Sequence, residues 1–78
     1  MNVLEENIKA VIKALGDSDT LVNVTEVLKT GQKDFDAAFA LAVEMDNRNL
    51  VKLLYSNFNQ NKIVVEITLV GQAAYKNL

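Results

Sequence analysis

Histidine and cysteine are both absent from this chain. Without histidine the usual general base is missing, and without cysteine there is no thiolate nucleophile and almost no way to build a zinc site. No disulfide can staple the fold, so redox chemistry does not set the compartment and a reducing cytoplasm is the expected location. Glycine is scarce and isolated, at Gly16, Gly31 and Gly71, which excludes a loop that cradles phosphate. Long hydrophobic runs are missing too. The longest, Ala37 to Val43, is far short of the roughly 18–20 residues a membrane span needs, and Glu5 and Glu6 stand where a signal peptide would be basic.

What remains is a chain of 78 residues, 50% hydrophobic and 23% charged, with a formal net charge of −2. That much apolar material folds, and that length supports one small core, so residues 1–78 are expected to form a single domain. A chain of this size leaves little room for a separate substrate site.

Leu4, Ile8, Val11, Ile12 and Leu15 recur at helical spacing, with Glu5, Glu6, Lys9 and Lys13 on the opposite face. A first helix is expected there, ended by Gly16 in a left-handed conformation. The polar stretch Asp17-Ser18-Asp19-Thr20 offers several N-caps for a short second helix through Leu21, Val24 and Leu28. Leu21-Val22-Asn23-Val24 is equally able to form a brief strand. Lys29-Thr30-Gly31 closes the segment, with Gly31 as the turn residue. A third helix is expected from about Gln32 to Asp46, on an apolar stripe of Phe35, Ala38, Phe39, Ala42 and Val43.

Asn47-Arg48-Asn49 is turn chemistry. Leu50 to Tyr55 fits a helix or a strand, and strand is favoured because Ile63, Val65, Ile67 and Leu69 alternate as a strand whose backbone needs a neighbour. A hairpin across Ser56 to Lys62 satisfies both. Gly71, expected at positive φ, then leads into a short amphipathic tail. The expected fold class is α+β, a winged helix of three helices followed by a β-hairpin wing and a short C-terminal tail.

Asp34-Phe35-Asp36-Ala37-Ala38, followed by Ile67-Thr68-Leu69-Val70-Gly71 and an aromatic at Tyr75, resembles small winged-helix proteins. These include an uncharacterised family of Gram-positive bacteria and their phages. Over nearly the whole chain, the resemblance implies a winged-helix fold and a role in nucleic-acid or protein binding, with no catalytic residues.

Residue chemistry leads the same way. Asp17 and Asp19 open like a calcium loop, but Leu21, Val22 and Leu28 occupy positions that require an oxygen ligand, a glycine and a glutamate. Asp34 and Asp36 diverge on a helix and suit its electropositive first turn better than paired acid–base work. No catalytic residue, metal or cofactor is therefore expected. Phe35 and Phe39 read as core. Phe58, among Asn57, Asn59, Gln60 and Asn61, either meets a partner or folds back over the hairpin.

The charges from Lys33 to Arg48 are Lys33, Asp34, Asp36, Glu44, Asp46 and Arg48, an acidic set that suits phosphate poorly. The hairpin and tail are weakly basic through Lys52, Lys62 and Lys76 against Glu66. The expected role is a non-catalytic regulatory or adaptor module working through protein contacts or self-association. The alternative is a dimeric DNA-binding transcriptional regulator. In either case Phe58, Lys62, Lys52, Lys33 and Arg48 are the candidate contact residues.

Overall fold

A computed structural model of the chain describes residues 3–17 and 20–78. In chain order they form α1 (Val3–Asp17), β1 (Leu21–Asn23), α2 (Val24–Leu28), α3 (Phe35–Asn47), β2 (Val51–Asn57), β3 (Lys62–Ile67) and α4 (Leu69–Lys76). One 3-10 turn, Gln32–Asp34, leads into α3. The fold class is α+β, with a three-stranded antiparallel sheet in the order β1-β3-β2.

The core follows from two periodicities. Ile8, Val11, Ile12 and Leu15 line one face of α1, and Phe35, Ala38, Leu41, Ala42 and Met45 line one face of α3. Both stripes belong to one core cluster with Val51, Ile63, Val65 and Ile67, the alternating inner positions of the sheet, and with Val24.

Residues 51–57 are strand, and β2 and β3 form the expected hairpin. A bulge at Leu54 shifts the register between Leu53 and Tyr55. The two readings of Leu21–Val24 turn out to be consecutive, because β1 runs directly into α2. Asn23 makes the junction. Its Oδ1 accepts from the N–H of Thr25 at 3.2 Å, which caps α2, and from the N–H of Ile63 at 3.0 Å, which ties that cap to β3.

Several local expectations are corrected. Gly16 does not stop α1, which continues to Asp17, and no described glycine has positive φ. Left-handed backbone falls instead on Lys29, Asn49 and Asn61, with φ of 58°, 62° and 50°. Gly31 is extended, so the turn after α2 is closed by Lys29 and not by Gly31. The α-helical part of the third helix begins at Phe35, three residues later than the expected start at Gln32, because the chain first makes the 3-10 turn. The candidate caps Ser18 and Asp19, and with Asp19 the calcium-like opening, lie outside the described residues.

The largest correction is at the C-terminus, where the tail is a helix and Leu69 is its first residue rather than the last inward position of a strand. Leu69 is 82% exposed, against 9% for Ile67. Thr68 produces the switch. Its hydroxyl accepts from the Gly71 N–H at 3.0 Å as the N-cap of α4 and donates to the carbonyl of Asn49, while its own N–H donates to Leu50 O at 3.2 Å. Gly71 is buried in the first turn of α4. A Cβ there would sit 2.1 Å from Leu50 O and 2.7 Å from the Ile67 side chain. Gly71 is needed for close approach, not for a left-handed turn.

Candidate interaction surface

The hairpin turn is pinned to the start of α3 by polar contacts. Gln32 donates both amide protons across the gap, to Phe58 O at 3.0 Å and Asn59 O at 2.9 Å. Asn61 donates to Thr30 O at 2.9 Å, and the Thr25 hydroxyl lies 2.6 Å from Asn61 O. These three side chains, through four hydrogen bonds, orient the hairpin relative to α2 and α3. None was flagged in the sequence, because the chain between Gln32 and Phe58 hides their proximity.

Phe58 settles between its two readings. Its ring meets Phe35 edge-on, with centroids 5.3 Å apart and planes at 82°, and Phe35 in turn stacks on Phe39 at 6.1 Å. Phe58 nonetheless remains 53% exposed. It is an anchored ring with one open face. Phe35 is buried and Phe39 half-buried, as core residues on the edge of α3 nearest the hairpin.

The charges sort clearly. From Phe35 to Asn47, α3 contains Asp36, Glu44 and Asp46 and no lysine or arginine. Asp46 turns inward to accept the Leu53 N–H at 2.9 Å, fastening the end of α3 to β2. Arg48, at the helix C-cap, is held by Glu44 at 2.7 Å and by Glu5 of α1 at 2.8 Å, and both carboxylates raise its pKa. The Arg48 guanidinium therefore serves as a clasp between α1 and α3. Lys33, Lys52 and Lys62 are exposed, Lys33 in the 3-10 turn before α3 and the other two on the hairpin strands. The five candidate contact residues thus fall into separate places: a ring at the hairpin turn, two lysines on its strands, one lysine before α3 and an engaged arginine.

A concave feature lies between α1 and α4. It is a groove of about 430 Å³ lined by Leu15, Gly16, Thr20, Ile67, Gln72 and Tyr75, among others. The Tyr75 ring forms a wall of it and lies against Gly16, where a Cβ would come within 2.2 Å of the ring. Its hydroxyl donates to Asp17 Oδ1 at 2.5 Å, and Lys13 donates to Asp17 Oδ2 at 2.7 Å. The Lys13 hydrogen bond, seconded by Tyr75, lowers the Asp17 pKa from 3.8. The Asp17 carboxylate raises the Tyr75 pKa from 10.0.

Because the folded pKa of Asp17 is depressed, the contact stabilises above pH 3.8 and is lost as pH falls through the lower folded value. Because that of Tyr75 is raised, its share is present below pH 10.0 and lost as pH rises through the higher one. Thermal melts of the native chain and Asp17→Asn across pH are therefore expected to differ most between those limits. The difference in Tm should narrow on both sides.

Among the described residues, no three His, Cys, Asp or Glu side chains lie together as a metal cage, and no helix is long and apolar enough to cross a membrane. No protein-family model matches the chain, and neither a curated protein nor a solved structure is significantly similar to it.

Proposed function

We propose that this chain is a small non-catalytic winged-helix module, regulatory or adaptor in role, that acts in the cytoplasm through protein–protein contacts. The element order supports the fold. A helix, a short strand, two helices and a hairpin follow one another, with the short strand completing the sheet beside the second hairpin strand. In that reading α3 is the recognition helix and the β2–β3 hairpin is the wing.

The observation that carries the functional reading is the charge of α3. A helix presented to duplex DNA gains most of its non-specific affinity by neutralising phosphates and releasing counterions. Here the helix carries Asp36, Glu44 and Asp46 and no cation, Asp46 being turned to the Leu53 N–H and Glu44 paired with Arg48, and the arginine at its end is engaged by Glu5 as well. The exposed residues of α3 include Ala37 and Ala40 beside Asp36, with Val43 half-buried, which suits a protein surface better than a phosphate backbone. Lys52 and Lys62 on the hairpin favour the alternative, a dimeric DNA-binding regulator whose wing contacts the backbone.

A titration separates the two. Fluorescence anisotropy with labelled duplex is expected to show no binding tighter than about 10⁻⁶ M near physiological salt. A tighter Kd that is lost in Lys62→Glu would establish the DNA-binding reading instead.

A further inference from the structure

The sheet has one face in the core and one in solvent. Ile63, Val65 and Ile67 of β3 are buried on the inner face, so Lys62, Val64 and Glu66 occupy the outer one. Cross-strand pairing places Leu21 and Lys52 beside Glu66, and Tyr55 beside Val64. Leu21 and Tyr55 are each 44% exposed. Val64 lies on the central strand and is half-buried by its neighbours, yet it is not among the residues packed on the core. The outer face thus has Val64 at its centre, between Tyr55 on β2 and Asn23 on β1, with charges at both ends of β3.

We propose that this face is the self-association surface of the chain, the outer sheet of one copy stacking on that of a second. The proposal rests on the protein-contact reading and names the partner. Along β3 the outward residues run Lys62, Val64, Glu66, with opposite charges two positions either side of the valine. A two-fold axis lying between the sheets and crossing the strands at Val64 reverses the strand direction of the second copy. Lys62 of each copy then faces Glu66 of the other, Val64 meets Val64, and Tyr55 meets Tyr55. Stacking with the strands running the same way sets Lys62 on Lys62 and Glu66 on Glu66. Charge therefore selects the reversed, isologous arrangement, which closes at two copies. With β1 only three residues long beside the seven of β2 and six of β3, strands about 4.8 Å apart rising about 3.3 Å per residue offer roughly 250 Å² per copy, well under the roughly 800 Å² per partner of a standard interface, so the dimer is weak.

Sedimentation equilibrium of the full chain from about 10 μM to about 1 mM, alongside thermal melts, tests this. A concentration-dependent dimer is expected. Val64→Lys should abolish it with little change in Tm, because the position is outside the core. Lys62→Glu and Glu66→Lys each turn two unlike-charge contacts into like-charge ones and should raise the Kd by about tenfold or more. The double variant Lys62→Glu with Glu66→Lys restores both pairs and should recover native association. A chain that stays monomeric throughout, or a dimer indifferent to Val64→Lys or not recovered by the charge swap, overturns the proposal. The duplex Kd of the native chain alone decides the protein-contact reading, and recovery by the charge swap alone decides the sheet interface, so the two fail separately.

Discussion

Gly71→Ala is expected to destabilise the chain by about 3 kcal/mol, at the upper end of what overpacking a well-filled site costs. The first helical turn of α4 lies against the backbone of Leu50, and the added methyl would fall 2.1 Å from that carbonyl oxygen. A carbonyl cannot rotate away as a flexible side chain can. It also accepts the N–H of Thr68, so moving it disturbs the cap of α4 as well. A chain of 78 residues has roughly 4–12 kcal/mol of total stability, and a loss of this size lowers Tm by roughly 12–24 °C. Gly31→Ala is the control. Nothing lies within 4 Å of a Cβ there and φ is −86°, so the substitution should be neutral or stabilising. Equal melts for the two variants would refute the close packing of α4 on Leu50.

Ile67→Asp is expected to unfold the domain, whereas Leu69→Asp should be tolerated. The two positions are two residues apart and would share a face if the strand continued. Ile67 belongs to the core cluster, and an aspartate there loses about 2 kcal/mol of apolar burial and leaves an unpaired charge costing several kcal/mol more. Leu69 lies beyond the strand, exposed in the first turn of α4. A carboxylate near that helix N-terminus is favourable by up to about 1 kcal/mol. Circular dichroism melts check the pair: a folded Ile67→Asp or an unfolded Leu69→Asp would place the end of β3 elsewhere.

The strand-to-helix switch at Thr68 marks the limit of local reading. Alternation from Ile63 to Ile67 is visible in the sequence, and Leu69 continues it by coincidence of residue type. What ends the strand is a cap that also bonds the carbonyls of Asn49 and Leu50, groups nearly twenty residues away. Gly71 misled for the same reason. A glycine in sequence suggests conformational freedom, while this one answers to a neighbouring backbone that only folding brings near. The hairpin itself was legible, since an exposed-edge argument about unpaired backbone groups needs no coordinates. The candidate contact residues were legible only as types. Lysines and a phenylalanine in a polar loop could be picked out, but not that Arg48 would be taken by Glu5, forty-three positions earlier.

The sequence by itself determined the helical stripe of α1, the α+β class and the acidic character of α3, and it favoured the pairing of β2 with β3. These depend on periodicity, composition and the local need to satisfy backbone groups, all short-range properties of the chain. Of the α3 stripe it picked out Phe35, Ala38 and Ala42 but not the buried Leu41 and Met45, which face the core where Phe39 and Val43 are only half-buried. Tertiary structure alone decided the docking of α4, the fastening of the hairpin by Gln32 and Asn61, the open face of Phe58 and the outward Lys62, Val64 and Glu66 as one face with Tyr55. Each of these depends on which distant segments meet, and a side chain is committed or left free only by what the rest of the fold places beside it.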